Sequence, residues 1–113
     1  MNGTNKLLQA PPYPVEQSLK RLGENLRTAR IRRNITIANA AERIGTGPRA
    51  VMDAEKGKPS TGMVVYAALL WLYDLLSELD EVGDPSSDTE GLMLESTRQR
   101  TRARKSKGLD NDF

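Results

Sequence analysis

Apolar side chains recur every three or four positions from Leu19 onward, and Gly, Pro and small polar residues interrupt them. This is the pattern of short amphipathic helices joined by tight turns. The first predicted helix is Gln17–Arg33. Leu19, Leu22, Leu26 and Ala29 share one face, and Lys20, Arg21, Arg27 and Arg32 lie off it. Gly23 inside this helix costs about 1 kcal/mol relative to Ala, which points to a close approach there. Asn34 suits the C-terminal cap. A second helix, Ile37–Ile44, starts after the N-cap Thr36, although Asn39 stands where Glu or Gln would complete a capping box. Ala40, Ala41 and Ile44 form its inward stripe, and Gly45 supplies a left-handed stop. The third helix begins at Pro48 after a cap at Thr46 or Gly47. Val51 and Ala54 face inward, Lys56 sits near the negative end and Gly57 terminates it. A fourth helix runs from a cap at Ser60 or Thr61 to about Leu79 and is apolar almost all round between Met63 and Leu76. Residues 1–15, with Pro11, Pro12 and Pro14, read as a flexible arm without a helix of its own. After the break at Gly83-Asp84-Pro85, Asp88–Arg102 forms a last helix with only Leu92 and Leu94 to bury. Thr101–Phe113 is expected to be disordered when alone.

These elements predict a compact all-α chain of five helices: an arm over 1–15, a helical domain over 16–82, and a C-terminal helix with a tail over 83–113. A surface helix needs a single apolar stripe. The fourth helix has more than one and must be covered on several sides. A second copy of the chain is one cover; the arm and last helix of the same chain are the other. Within Thr36–Ser60, two short helices joined by a Gly-containing turn have the form of a helix-turn-helix, whose second helix enters the DNA major groove.

Composition narrows the function. The chain has 113 residues and neither cysteine nor histidine. Disulfides and thiolate metal sites are excluded, and the commonest general base and metal ligand are missing. No Gly-rich phosphate loop and no suggestively spaced carboxylate pair is present, so an enzyme, a metal and a cofactor are not expected. The N-terminus lacks an apolar segment of signal-peptide length, and the longest apolar run, Met63–Tyr73, is too short to span a bilayer. The expected location is the cytoplasm, at the nucleoid. Net charge is +2, but it is segregated. Lys20–Lys58 carries ten bases and four acids, Asp74–Glu95 eight acids and no base, and Ser96–Gly108 six bases and no acid. Such segregation favours a basic surface facing something anionic.

The segment LRTARIRRNITIANAAERIGTGPRAVMDAEKGKPS resembles the Cro/lambda-repressor-like helix-turn-helix family, also called the XRE family. The likeness covers about Leu19–Leu79 and includes the spacing of Arg30, Thr36, Ala41, Gly45, Val51, Glu55 and Gly57. It implies a lambda-repressor-like five-helix domain that acts as a homodimer on a two-fold site in double-stranded DNA. It also implies that Arg30 and Glu55 bridge the first and third helices. The groove-facing positions it implies are Gly47, Pro48, Arg49, Met52 and Asp53. Arg49 can donate a bidentate pair to guanine, and Asp53 can accept from cytosine N4 while repelling phosphate. Pro48 offers only apolar contact, and Ile37 replaces a Gln common in the family. Phosphate contacts fall to Arg32, Arg33, Arg43, Lys56 and Lys58, and to the amides near Gly47.

Beyond the motif, GKPSTGMVVYAALLWLYDLL and the ending LDNDF resemble the HipB-type antitoxins, which are paired with a HipA-like kinase toxin. The resemblance implies a repressor that regulates its own operon and neutralises a protein toxin. In the tail, Arg98, Arg100, Arg102, Arg104, Lys105 and Lys107 can add phosphate contacts. Leu109, Asp110 and Phe113 can dock into a partner and fold on binding. The alternative is a solubilising tail. Likewise Ile37, Pro48 and Asp53 leave open a protein-interaction adaptor that keeps the fold without reading DNA.

Overall fold

The computed structural model of the chain describes residues 5–110, and side chains up to Ser106. Among the described residues it is all helical. Seven α-helices occur in chain order: α1 (Lys6–Gln9), α2 (Tyr13–Arg32), α3 (Ile37–Ile44), α4 (Pro48–Glu55), α5 (Met63–Leu72), α6 (Leu76–Leu79) and α7 (Thr89–Asp110), with a 3-10 turn at Pro85–Ser87 before α7. Contacts divide the chain into two units, Met1–Leu79 and Asp80–Phe113.

The first unit holds the core. Leu26 and Ala29 of α2, Ala40 and Ala41 of α3, Val51 and Ala54 of α4, and Tyr66, Leu69 and Leu70 of α5 are buried together with Tyr73. Small residues dominate the α3–α4 contribution. Short helices with alanine on their inner faces can approach closely, and α3 and α4 pack against each other here. Thr36 accepts from the Asn39 amide at 3.1 Å and starts α3 as its pattern predicts. Gly45 ends it with φ +83°, and its N–H and that of Thr46 both reach the Ala41 carbonyl at 3.0 and 2.9 Å. Pro48 opens α4 after the N-cap Gly47, and Gly57 leaves it at φ +68°. Asn34, expected to close the first helix, lies in the left-handed region at φ +58°.

Three elements depart from the sequence pattern. The arm carries α1, capped by the Asn5 side chain on the Leu7 amide at 2.9 Å, and α2 starts at Tyr13. Pro14 permits this because the first helical turn needs no amide donor. The fourth helix does not continue to Leu79, and its N-cap is Gly62, not Ser60 or Thr61. It stops at Tyr73, where Asp74 adopts φ +61°; the Asp74 and Leu75 amides close back on the Trp71 and Leu70 carbonyls at 3.1 and 2.7 Å. Asp is one of the few side chains that tolerates this conformation, so an acid does here what a glycine usually does. Finally, α7 runs to Asp110, past the expected end at Arg102 and through most of the segment expected to be disordered. Arg, Lys, Gln, Glu, Leu and Met favour helix locally even where nothing is buried. The Asp88 carboxylate starts it by accepting from the Gly91 amide at 2.9 Å.

Candidate nucleic-acid interface

Helix α4 presents two different sides. Val51 and Ala54 are wholly buried, whereas Pro48, Arg49 and Met52 are exposed on the outer side. The Arg49 side chain is 81% accessible. Asp53 is half-buried, and one of its oxygens, Oδ1, lies 3.4 Å from Lys58 Nζ and 3.6 Å from Arg49 Nε. That oxygen is closed to solvent and forms no hydrogen bond among the described residues. The carboxylate expected to reach a base is therefore drawn toward its own neighbours.

Helix α2 holds α4 from behind. Arg30 donates to Glu55 through Nε at 2.6 Å and Nη2 at 3.1 Å, and its Nη1 donates to the Ile35 carbonyl at 3.0 Å. The hydrogen bond to Glu55 raises the Arg30 pKa above its ordinary value against the opposing effect of burial. The contact between the helices is backbone to backbone on one side. A Cβ added to Gly23 would lie 2.5 Å from the Glu55 carbonyl oxygen, and one added to Gly57 would meet the Leu19 carbonyl. Glycine at these two places lets α2 touch the C-terminal end of α4.

The expected phosphate contacts divide. Arg32, Arg43 and Lys56 are exposed on the ends of α2, α3 and α4, and Gly47 is exposed at the α4 N-terminus with open space around it. Lys58 is tied to Asp53. Arg33 is held by its own domain: its Nη1 donates to the Ala29 carbonyl at 3.0 Å, and its guanidinium stands 5.7 Å from the Tyr73 ring centre. Of the tail residues expected to dock into a partner, Phe113 lies outside the described residues, and Leu109 and Asp110 lie in α7. No group of side chains able to hold a metal ion occurs among the described residues, and none of their helices is long and apolar enough to cross a membrane.

Two features carry little trace in the sequence. Tyr73 is buried between Arg33 and the Arg30–Glu55 pair, and burial raises its pKa. In a run of eleven apolar residues its role is not distinguishable from that of its neighbours. Val64 and Trp71, seven positions apart on α5, are 76% and 60% exposed and form an apolar strip on the outside of the unit. Seven-residue spacing in that run is visible only once the inward side is known. Comparison with protein-family models, curated proteins and solved structures finds no match to the chain.

Proposed function

We propose that the chain is a sequence-specific DNA-binding repressor of the lambda-repressor-like class, with α3 and α4 as its helix-turn-helix. The observation that carries this reading is the split of α4: an alanine- and valine-lined inner side fixed to the domain, and an outer side presenting Pro48, Arg49 and Met52. A recognition helix requires this combination of rigid seating and free side chains. The exposed cations Arg32, Arg43 and Lys56 supply charge for the phosphates. The Val64–Trp71 strip is the surface on which two copies meet, so that two recognition helices address a two-fold site. Antitoxin action against a kinase-like toxin, with regulation of its own operon from a cytoplasmic location, rests on the resemblance of Gly57–Leu76 and of the chain ending.

The test is a gel-shift with DNA upstream of the chain's own gene, paired with sedimentation of the free protein. The expected result is a shift at low salt that competitor DNA does not abolish, from a dimer that Trp71→Glu converts to a monomer. No shift from any upstream fragment, with or without a co-purified partner, overturns the repressor reading. In that event a stoichiometric protein partner recovered without DNA supports the adaptor reading, for which the inward-drawn Asp53 is the structural motive.

A further inference from the structure

Among its described side chains, helix α7 has no apolar face. Every side chain from Leu92 to Ser106 is exposed, and Leu92, Met93 and Leu94 are consecutive and so point in three directions. No core holds this stretch as a helix; its residues and the Asp88 cap do. From Ser96 to Ser106 it bears five bases and no acid. None of the five enters an ion pair among the described residues.

Their placement is two-sided. At about 100° per residue, Arg98, Arg102 and Lys105 fall within an arc of roughly 60°, and Arg100 and Arg104 form a second stripe roughly 150° away round one side. The wider gap between the stripes carries Ser96, Gln99, Ala103 and Ser106, which are short or uncharged. A helix bound to a membrane or to one acidic protein surface needs cations on one side only. A helix in the major groove of B-DNA has a phosphate backbone on each side and base edges ahead, and that groove, about 12 Å wide, matches a helix diameter of about 10–12 Å. The corresponding groove of double-stranded RNA is too narrow to admit it.

We infer that the C-terminal half of α7 is a second DNA-binding element. It lies in the major groove, with its two basic stripes on the flanking backbones and the Gln99–Ala103 strip toward the bases. Gln99 has the amide that pairs with adenine, and Ala103 the methyl that packs on thymine. Among the described residues Gln99 is engaged only by a 3.4 Å exposed contact to Glu95, which DNA can replace. The element acts separately from α4, and either can fail without the other.

The experiment measures binding of the full chain to a mixed-sequence DNA duplex by fluorescence anisotropy over a range of salt. Variants replace one stripe (R100Q/R104Q), the other (R98Q/R102Q/K105Q) or both; Gln keeps the helix propensity. Each base lost should make the slope of log K against log salt shallower by about 0.9, so the full variant differs from the parent by about 4–5. Both single-stripe variants should show their share, and DNA should slow amide exchange over residues 96–106 of the parent. The inference is overturned if the slope is unchanged, if only one stripe matters, or if an RNA duplex of the same sequence binds as tightly. Repeating the series with Arg49→Ala separates the two elements: the tail variants should change the slope there by the same amount.

Discussion

Glu55 receives two hydrogen bonds from Arg30 across the α2–α4 contact, at 2.6 and 3.1 Å, and neither side chain is more than 11% accessible. Truncating one member of such a pair strands the other charge out of water, which costs about 3–5 kcal/mol. Glu55→Ala should therefore lose about 3 kcal/mol in urea unfolding. Arg30→Met combined with Glu55→Leu should lose less than either single change, because an apolar pair removes both desolvation penalties together. A double-mutant cycle showing no coupling would refute the bridge as the clamp on α4.

Gly23 makes a second, independent test of the same contact. Alanine is normally the better helix residue by about 1 kcal/mol. Here its Cβ would sit 2.5 Å from the Glu55 carbonyl oxygen and 2.6 Å from that of Ala54, both backbone atoms that cannot swing aside. Overpacking of this kind costs about 1–3 kcal/mol, so Gly23→Ala should destabilise by about 2 kcal/mol. Gly62→Ala meets open space and loses only the N-cap preference of glycine, so it should cost less, about 0.5–1 kcal/mol. Equal midpoints for the two variants would contradict the close approach.

Tyr73 links the clamp to pH. Its hydroxyl is buried without a hydrogen-bond partner among the described residues. Burial raises its pKa, Glu55 adds to this, and Arg30 and Arg33 oppose it. In the unfolded chain the phenol loses its proton near pH 10, while in the fold it keeps it to higher pH. The native state then binds more protons in that window, so stability is intact below about pH 10 and declines as pH rises above it. Tyr73→Phe should raise stability at neutral pH by about 1 kcal/mol, because an unpaired buried hydroxyl is removed. It should also make the alkaline decline shallower without abolishing it, since burial raises the Tyr66 pKa too. Thermal unfolding at pH 7 and pH 10.5 measures both; an unchanged alkaline decline would remove Tyr73 from the account.

The sequence was most legible where local chemistry decides the outcome. Thr36 acts through its hydroxyl and Gly45, Pro48 and Gly57 through their backbone conformation, all within their own turns, and each marks the helix boundary its type predicts. Gly23 was readable as a close approach, but its partner was not, since Glu55 and Ala54 lie some thirty positions away. The break at Asp74 was hidden because an Asp after an apolar run is unremarkable unless its backbone is known to be left-handed. The tail presents the opposite difficulty: it has no apolar periodicity to mark a helix, and helix propensity together with the Asp88 cap carries α7 to Asp110. At the candidate interface, Arg49 stands out on the surface as its position in the motif implies. Asp53 is half-buried beside Lys58, and Arg33, although exposed, is engaged by the Ala29 carbonyl and the Tyr73 ring; the pattern connects neither Lys58 to Asp53 nor Tyr73 to Arg33.

Asp53 and Arg49 give the interface its sharpest test. Their ion pair is long, 3.6 Å, and the Arg49 side chain is 81% accessible, so the pair contributes less than about 1 kcal/mol and leaves Arg49 available to DNA. Arg49→Ala should cost about 1–3 kcal/mol of binding and relax the preference at one base pair. Asp53 has its Oδ1 turned inward beside Lys58, and in the proposed complex its negative charge would lie near the phosphates. Removing that charge while keeping the shape, as in Asp53→Asn, should tighten binding to operator and mixed-sequence duplexes alike, by roughly threefold to tenfold at low salt, because electrostatic attraction to phosphate is independent of sequence. If Asp53 instead accepts from cytosine, the same change would spare mixed-sequence binding and abolish discrimination at a single C·G pair. Competition titrations with a panel of single-base operator variants separate these outcomes, and the second would return Asp53 to the set of residues that read bases.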